Sequence, residues 1–284
     1  MIRMLTCLAL ATGALFVWPG QAEAAESYDN CTGFIDTVPT TISTQGTWCL
    51  RHNLSTAITS GEAITVAANN VTIDCNDFKL GGLAAGNGST TQGIAAVNRQ
   101  NIIVRNCAIR GFYIGVNFLD GGAGHLVEDN RLDNNLFVGI AVDGDNNLVR
   151  GNQVHDTGGA TGLTTTLAMV VTGDVVDNTV SGVFGGPSLY GIRAFGEGNE
   201  IRGNRVRNIA HTETEDVSYI EVRSTAMTVE GNRLFSTNPR TPLRRALAIH
   251  PLAEGTACLD NTSAGFYAGV GPGCDVTHDN HDVW

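Results

Sequence analysis

The stretch Leu-Val-Arg-Gly-Asn-Gln-Val at residues 148–154 contains the pattern that decides the fold, an apolar strand that ends in asparagine. Related segments recur at intervals of 22 to 31 residues, each with an asparagine or, once, a cysteine at the same place. These anchor residues are Asn76, Cys107, Asn130, Asn152, Asn178, Asn204, Asn232 and Asn261. A repeat of this length indicates a solenoid, because each unit buries its apolar face only against neighbouring units.

The residues around each anchor follow one rule, which gives the strands of the repeat. Apolar residues stand three positions before the anchor in all eight units and two positions after it in seven. A third apolar segment comes later, at Gly93-Ile94, Gly115-Val116, Gly139-Ile140, Gly191-Ile192, Ile220 and Ile249. Three short strands per unit predict an all-β, single-stranded right-handed parallel β-helix of about eight coils over residues 61–265. We expect the anchor asparagines to stack as a ladder whose amides bond one another.

The composition excludes the main alternatives to a β fold. Of 284 residues, 42% are hydrophobic and 16% are charged, 35 are glycine, and Lys79 is the only lysine. Glycine disfavours helices by about 1 kcal/mol relative to alanine, so a helical bundle is excluded. The apolar fraction is too high for a disordered chain.

The N-terminal segment has the features of a secretory signal. Arg3 precedes an apolar stretch at 5–18, and Ala22 and Ala24 form a small-x-small cleavage site. We expect a signal peptide over 1–24, an N-terminal cap over 25–60 and a C-terminal cap or tail over 266–284. The apolar stretch is shorter than the roughly 20 residues of a membrane-spanning helix. The sequence therefore predicts a secreted or periplasmic protein without a membrane span, and we expect a monomer.

Six cysteines follow the signal segment, namely Cys31, Cys49, Cys75, Cys107, Cys258 and Cys274. An even number in an exported chain favours disulfides over metal ligation. Chain order suggests the pairs 31–49, 75–107 and 258–274, of which the first and last would staple the two ends. In the middle pair, Cys107 occupies an anchor position whereas Cys75 precedes one, so the directions of these two side chains stay open.

Three segments carry a resemblance to a known group of proteins. Asn-Val-Thr-Ile-Asp-Cys-Asn at 70–76, Ile-Ile-Val-Arg-Asn-Cys-Ala-Ile-Arg-Gly-Phe at 102–112 and Gly-Asn-Gln-Val at 151–154 resemble secreted bacterial right-handed β-helix repeat proteins of the pectate-lyase-like superfold. That superfold includes polysaccharide lyases, epimerases, hydrolases, phage tailspikes and non-catalytic surface proteins, so the resemblance implies the fold more than the function. In active members, the resemblance implies, the groove lies outside the strand equivalent to residues 139–143.

Strand alternation predicts which side chains face this groove. Extending the register of Asp143 along the rod gives one outer face that carries Asp143, Arg193, Glu221, Arg223 and His250, with successive coils about 5 Å apart. The coil at 165–171 is irregular, and its register stays open. Tyr190 and Tyr219 precede the same strands; they either stack on sugar rings or line the edge of the rod. An outward charge ladder that only keeps the sheet soluble is the alternative to a substrate site.

The catalytic hypothesis gives each candidate a role. Arg193, Arg223 and Arg240 would neutralise a substrate carboxylate, and His250 or Tyr219 would move the proton. The candidate substrate-binding residues are Asp143, Tyr190, Glu221 and Arg245.

A local motif bears on the same chemistry. The segment Arg-Thr-Pro-Leu-Arg-Arg at 240–245 resembles the Arg-x-Pro-x-x-Arg segment of pectate lyases, whose first arginine is the base, and this implies Ca²⁺ as a cofactor. The companion calcium aspartates and Trp-x-Asp-His segment of that family are missing, so the segment is otherwise a basic loop. The tail at 277–282 carries two histidines three apart, typical either of a metal site or of a solvated, frayed terminus.

Charge is distributed unevenly along the chain. The net charge is −11, yet nine arginines and seven acidic residues lie between positions 190 and 250. This asymmetry favours an acidic polysaccharide as the partner, and the overall acidity argues against nucleic acid. The sequence thus predicts a protein that binds and processes an acidic polysaccharide by β-elimination or epimerisation. The alternative is a non-catalytic carbohydrate-binding or structural protein of the cell envelope or matrix.

Overall fold

The computed structural model describes residues 28–209, 215–238, 240–271 and 273–283. It forms a solenoid of three parallel sheets, called sheets A, B and C, which run side by side along the rod. The expected signal peptide lies outside the described residues. Within the described part of the chain, no helix has the length and apolar character needed to cross a membrane.

The thirty strands are numbered in chain order. Sheet A contains β1 Gly33–Ile35, β3 Gly46–Leu50, β6 Val71–Asp74, β9 Ile102–Arg105, β12 Leu126–Glu128, β15 Leu148–Arg150, β18 Asp174–Val176, β21 Glu200–Arg202, β24 Thr228–Glu230, β27 Ala257–Leu259 and β29 Val276–His278. Sheet B contains β2 Thr40–Ile42, β5 Glu62–Val66, β8 Gln92–Val97, β11 Ile114–Leu119, β14 Val138–Val142, β17 Thr165–Thr172, β20 Ser188–Phe195, β23 Asp216–Val222 and β26 Arg244–Ile249. Sheet C contains β4 Leu54–Ser55, β7 Lys79–Gly81, β10 Ala108–Arg110, β13 Arg131–Asp133, β16 Gln153–His155, β19 Thr179–Ser181, β22 Arg205–Arg207, β25 Arg233–Phe235, β28 Thr262–Ala264 and β30 His281–Val283. One turn of 3₁₀ helix spans Leu83–Ala85.

The predicted right-handed parallel β-helix with three strands per coil is confirmed. The same ladders extend beyond the predicted limits at both ends, because β1 to β4 and β29 to β30 pair in parallel with the strands next to them. Each added strand satisfies the backbone groups of an edge that would otherwise stay open.

The asparagine ladder forms at the corner between sheets A and C. From Asn130 onward, the Nδ2 of each anchor donates to the Oδ1 of the next at 2.9 to 3.1 Å. The ladder gains one rung that the repeat pattern did not predict, Asn280. The rungs from Asn130 to Asn261 are buried away from water, so these bonds give their amide groups hydrogen-bond partners that they would otherwise lack.

The first corner departs from the predicted pattern. Asn76 is not a rung of the ladder: its Nδ2 donates to the carbonyl of Leu50 at 3.1 Å, and its φ is 45°. Leu80, rather than Phe78, pairs with Ile109 in sheet C, so this corner is two residues longer than the next. The extra length lets Cys75 turn inward.

All three predicted disulfides are present. Cys75 and Cys107 join adjacent coils with their Cα atoms 4.7 Å apart. Cys31–Cys49 and Cys258–Cys274 lie at the two ends of the rod. The middle bond lies where the asparagine ladder begins, since the Cys107 N–H donates to Oδ1 of Asn130 at 3.0 Å.

The register of sheet B settles the irregular coil. Ile140, Met169, Ile192, Ile220 and Leu247 form one inward row. The expected equivalence of Ile249 with Ile220 is therefore wrong by two residues. The Ala-Leu-Ala-Ile segment at 246–249 offers two aliphatic residues with the same alternation, and the backbone ladder selects the first.

Candidate functional site

The outer face of sheet B carries three rows of side chains along the rod. The first row is Gln92, Ile114, Val138, Leu167, Tyr190, Ser218 and Arg245. The second is Ala95, Asn117, Ala141, Val170, Arg193, Glu221 and Ala248. The same register gives Leu119, Asp143, Thr172, Phe195, Arg223 and His250 as the third. Most of the predicted site residues therefore lie on one face.

Glu221 is the centre of the charged part of this face. Its Oε2 accepts a short hydrogen bond from Nε of Arg193, and its Oε1 accepts one from Nη1 of Arg223 at 3.1 Å. The Glu221 side chain is 11% exposed, against 19% for Arg193 and 34% for Arg223. Two guanidinium groups and one carboxylate leave this cluster with one net positive charge.

Tyr190 supports the same cluster from the neighbouring row. The guanidinium carbon of Arg193 lies 3.8 Å from the centre of the Tyr190 ring, and Tyr190 is only 7% exposed. Its ring packs among Val138, Ala141 and Leu167 in an apolar cluster on the outside of the sheet. Tyr190 therefore positions Arg193 and does not present an open face for a sugar.

Tyr219 is not a surface residue, which corrects its predicted role. Its side chain is fully buried, its ring meets Phe266 edge-on at 4.6 Å, and its hydroxyl accepts the Ile209 N–H at 3.2 Å. Burial raises the pKa of this hydroxyl. In β20 the equivalent position is Gly191, where a Cβ would lie 2.5 Å from the Tyr219 carbonyl oxygen. The tyrosine occupies an inward position, where its hydroxyl is not exposed on the face of sheet B.

His250 lies beside a cleft at the C-terminal end of sheet B, the C-terminal cleft. The cleft has a volume of about 330 Å³ and is lined by Glu221, Arg245, Leu247, Ala248, Ile249, His250, Pro251 and Ala268. The corrected register makes His250 the neighbour of Arg223, whereas the sequence placed it beside Glu221. Its Nδ1 accepts the Leu252 N–H at 3.3 Å, so the neutral ring carries its proton on Nε2 in this arrangement. Nε2 becomes a base only in the other tautomer, in which the Leu252 hydrogen bond is given up.

Arg245 and Arg240 differ in position although both come from the predicted lyase-like segment. Arg245 lines the C-terminal cleft, and its Nη2 donates to Oδ1 of Asp216 at 2.5 Å. Arg240 is exposed on the loop before β26 and does not line the cleft. Between them, Arg244 is fully buried, and burial lowers the pKa of its guanidinium. The structure thus brings only one arginine of the segment to the cleft.

Asp143 lies apart from the charged cluster. It lines a second cleft of about 270 Å³, the central cleft, together with Leu119, Ala141, Val142, Val170, Thr172 and Phe195. Its Oδ1 accepts the Thr172 hydroxyl at 3.0 Å. Three coils separate Asp143 from Arg223, or about 14 Å at the usual strand spacing. The central cleft is largely apolar and continues the face toward the N-terminal end.

The carboxylates of this face do not fit a calcium site. In proteins, Ca²⁺ is bound by roughly six to eight oxygen ligands, several of which are carboxylate oxygens that lie close together. Glu221 and Asp216 are each bound by arginine, and Asp143 lies three coils away from them. We therefore derive no step through Ca²⁺.

The histidines of the tail are ordered by the ladders. His278 ends β29 on sheet A and His281 begins β30 on sheet C, so the predicted frayed terminus is not observed. His278 lies close to the exposed carboxylates of Asp260 and Asp279, and Asp279 pairs with it at 2.7 Å.

Three of the nine arginines between positions 190 and 250 lie on a different face. Arg205, Arg207 and Arg233 point outward from β22 and β25 of sheet C and, together with Phe235, line a cleft of about 280 Å³, the sheet C cleft. This cluster was not predicted from the sequence, although the position of the apolar residue after each anchor indicates it. Because the residue two positions after each anchor is inward, the residues on either side of it face out.

Comparison with known proteins places the fold. The chain belongs to the family described as the right-handed beta helix region, whose match covers residues 44–206. The search of curated proteins gives no match.

Three solved structures are similar to this chain at low identity. The Dettilon tailspike protein is 16% identical, with a TM-score of 0.49, over 83% of this chain and 54% of the tailspike. The A-module of a mannuronan C-5 epimerase from Azotobacter vinelandii is 13% identical, with a TM-score of 0.40, over 84% of this chain and 81% of the module. The tailspike of E. coli bacteriophage HK620 is 11% identical, with a TM-score of 0.42, over 89% of this chain and 59% of the tailspike. The chain thus spans little more than half the length of the two tailspikes. At these identities and TM-scores the likeness carries no conclusion about function, which rests on the site.

Proposed function

We propose that the protein binds an acidic, uronate-containing polysaccharide along the outer face of sheet B and processes it by β-elimination. The observation that carries this proposal is the juxtaposition of Arg193, Glu221, Arg223 and His250 on three successive coils beside the C-terminal cleft. The apolar central cleft on the same face offers room for neighbouring sugars of an extended chain.

The arginine pair suits a carboxylate ligand. Glu221 uses Nε of Arg193 and Nη1 of Arg223, which leaves further N–H groups on both guanidinium groups. Planar guanidinium groups held in place bind carboxylates with paired hydrogen bonds and lose little further entropy. Glu221 therefore orients the donors, while the net positive charge of the cluster remains available to a uronate.

His250 supplies the proton acceptor. In the tautomer that carries the ring proton on Nδ1 and gives up the Leu252 hydrogen bond, Nε2 takes the C5 proton of a uronate whose carboxylate is neutralised by Arg223. The C5–H electron pair then forms the C4–C5 double bond, the C4–O bond to the leaving sugar breaks, and the leaving oxygen is protonated by water. Epimerisation requires a second group that returns a proton to the opposite ring face. The burial of Tyr219 therefore favours elimination.

One observation favours the alternative, a non-catalytic glycan-binding or structural protein. Arg193, Arg223 and Arg245 are all ion-paired within the chain, as in a charge ladder that stabilises a sheet. For either function we propose a secreted or periplasmic location, which the three disulfides support because such bonds persist in oxidising compartments.

Ultraviolet absorbance of unsaturated uronate separates the two. Pectate, alginate and glycosaminoglycans are incubated with the full chain, with His250→Ala and with Arg193→Ala/Arg223→Ala. We expect product with the wild type and a loss of at least about a hundredfold in rate in His250→Ala, the scale of general-base catalysis.

The matched control is Arg105→Ala/Arg150→Ala, which removes two ion-paired arginines from sheet A and should leave the rate unchanged. The non-catalytic alternative would be established by two results together. No acidic glycan gives product, and uronate oligosaccharides bind to the wild type but not to Arg193→Ala/Arg223→Ala.

A further inference from the structure

The outer face of sheet C carries arginines without carboxylate partners. Arg131, Arg205, Arg207 and Arg233 are all exposed, and none makes an ion pair or a side-chain hydrogen bond with the described residues. In the same sheet, Arg110 is paired with Asp133 at 3.3 Å. Three of the unpaired arginines, Arg205, Arg207 and Arg233, therefore form a local feature of β22 and β25 in the C-terminal half of this face.

The arrangement of these arginines is unfavourable without a ligand. Arg205 and Arg233 are register partners on adjacent parallel strands, which places like charges side by side at about 4.8 Å backbone spacing. Like charges directly opposite one another destabilise a sheet. On sheet A, by contrast, charged register partners on adjacent strands have opposite signs, as in the pairs Asp74–Arg105 and Glu128–Arg150.

A second feature lies beside these charges. Phe235 is the register partner of Arg207, is 48% exposed, and lines the sheet C cleft together with the arginines. An exposed aromatic ring beside guanidinium groups gives a flat apolar surface and anion donors within one cleft.

The positive surface extends further along the rod. Arg131 occupies the row of Arg205, and His155 occupies the row of Arg207. Burial, and then Arg131 and Arg207, lower the pKa of His155, against the opposing effect of Asp156 and Asp133. The histidine thus experiences the positive charge on both sides of it.

We propose that the outer face of sheet C is a second binding site for an anionic polysaccharide, whose sulfate or carboxylate groups bind Arg205, Arg207 and Arg233 while a sugar ring stacks on Phe235. The site is separate from the sheet B face and stands whether or not that face is catalytic. A polysaccharide suits it better than a nucleic acid, because the cluster is small and the whole chain carries a net charge of −11.

Calorimetry with dextran sulfate tests the proposal, because this polysaccharide carries sulfate groups but no uronate on which the sheet B face could act. We expect binding by the wild type and a loss of at least about tenfold in affinity in Arg205→Gln/Arg233→Gln, since hydrogen bonds to charged groups are the strong ones. Phe235→Ala should weaken binding about threefold or more through lost stacking. Polygalacturonate, tested in the same way, shows whether carboxylates replace sulfates.

Two controls separate the outcomes. Arg105→Gln/Arg150→Gln removes the same charge from sheet A and should leave dextran sulfate affinity within about twofold, as exposed pairs contribute little. The sheet B variant Arg193→Ala/Arg223→Ala should lose elimination but keep dextran sulfate binding, so failure of one site does not mask the other. The proposal is overturned if the sheet C variant binds as the wild type does, if the sheet A control loses as much affinity, or if duplex DNA binds more tightly than both glycans.

Discussion

The arginines of sheets B and C lie on the same coils but in opposite electrostatic situations. On sheet B, Arg193 and Arg223 share the carboxylate of Glu221, and Arg245 holds Asp216. On sheet C, Arg205, Arg207 and Arg233 have no partner among the described residues. Paired arginines stabilise the rod and present an ordered, weakly positive surface. Unpaired arginines cost stability and leave their charge for an external anion.

Removing the shared carboxylate should make sheet B resemble sheet C. In Glu221→Gln, two partly buried guanidinium groups lose their counter-charge, and we expect a loss of about 2 kcal/mol in the free energy of unfolding. Urea unfolding measures it. Glu200→Gln, which breaks the exposed Arg202–Glu200 pair of sheet A, should cost less than about 0.5 kcal/mol. Equal losses in the two variants would contradict the central role of Glu221.

Removing an arginine from sheet C should have the opposite sign. Arg233→Gln relieves the repulsion from Arg205 and should raise the free energy of unfolding by about 0.5 kcal/mol at low ionic strength. The gain should disappear in high salt, because exposed charges are screened. Arg105→Gln breaks the pair with Asp74 and should not stabilise the chain. A destabilised Arg233→Gln would show that the sheet C arginines are structural.

A carboxylate introduced next to Arg205 should convert sheet C toward the state of sheet B. Thr179 is the register partner of Arg205, so Thr179→Glu creates an adjacent pair of opposite charges that we expect to contribute about 0.3 kcal/mol. The same change should weaken dextran sulfate binding. Thr179→Gln, with a side chain of similar size, should do neither. Unchanged binding in Thr179→Glu would place the polyanion elsewhere.

The smallest expected effect concerns His155. Because the charges of Arg131 and Arg207 lower its pKa in addition to burial, Arg131→Gln should raise that pKa toward the ordinary histidine value. Bound polyanion should raise it as well, since it offsets the same positive charge. The measurement is an NMR titration of the ring protons. A pKa that does not respond to either change would contradict a positive field on this face.

The fold was predictable because its determinants are local and repeated. Inward side chains recur at fixed positions relative to each anchor, and every unit repeats them, so a single irregular unit does not obscure the pattern. The asparagine rungs and the cysteine pairs follow the same period. The prediction that Asn76 is a rung of the ladder was wrong because the first corner is two residues longer than the next. Corner length depends on how the backbone closes, and residue identity does not reveal it.

The candidate site was predictable only in part. The register at β26 depended on a choice between Leu247 and Ile249, two aliphatic residues of the same alternation, and backbone pairing decided it. Tyr219 was interpreted as a surface ring because it was expected to precede its strand. The strand β23 begins at Asp216, and the Tyr219 side chain occupies an inward position that is Gly191 in β20. The ion pairs of sheet B also depend on contacts between coils, which chain order alone does not give.

The most direct test of this account is the chemical reactivity of individual arginines. The full chain is treated with a dicarbonyl reagent such as butanedione, with and without dextran sulfate, and modified sites are quantified by mass spectrometry. We predict that Arg205, Arg207 and Arg233 react first and are protected by dextran sulfate, while Arg193 and Arg223 react slowly under both conditions. Faster modification of Arg193 and Arg223, or no protection of the sheet C arginines, would contradict the account.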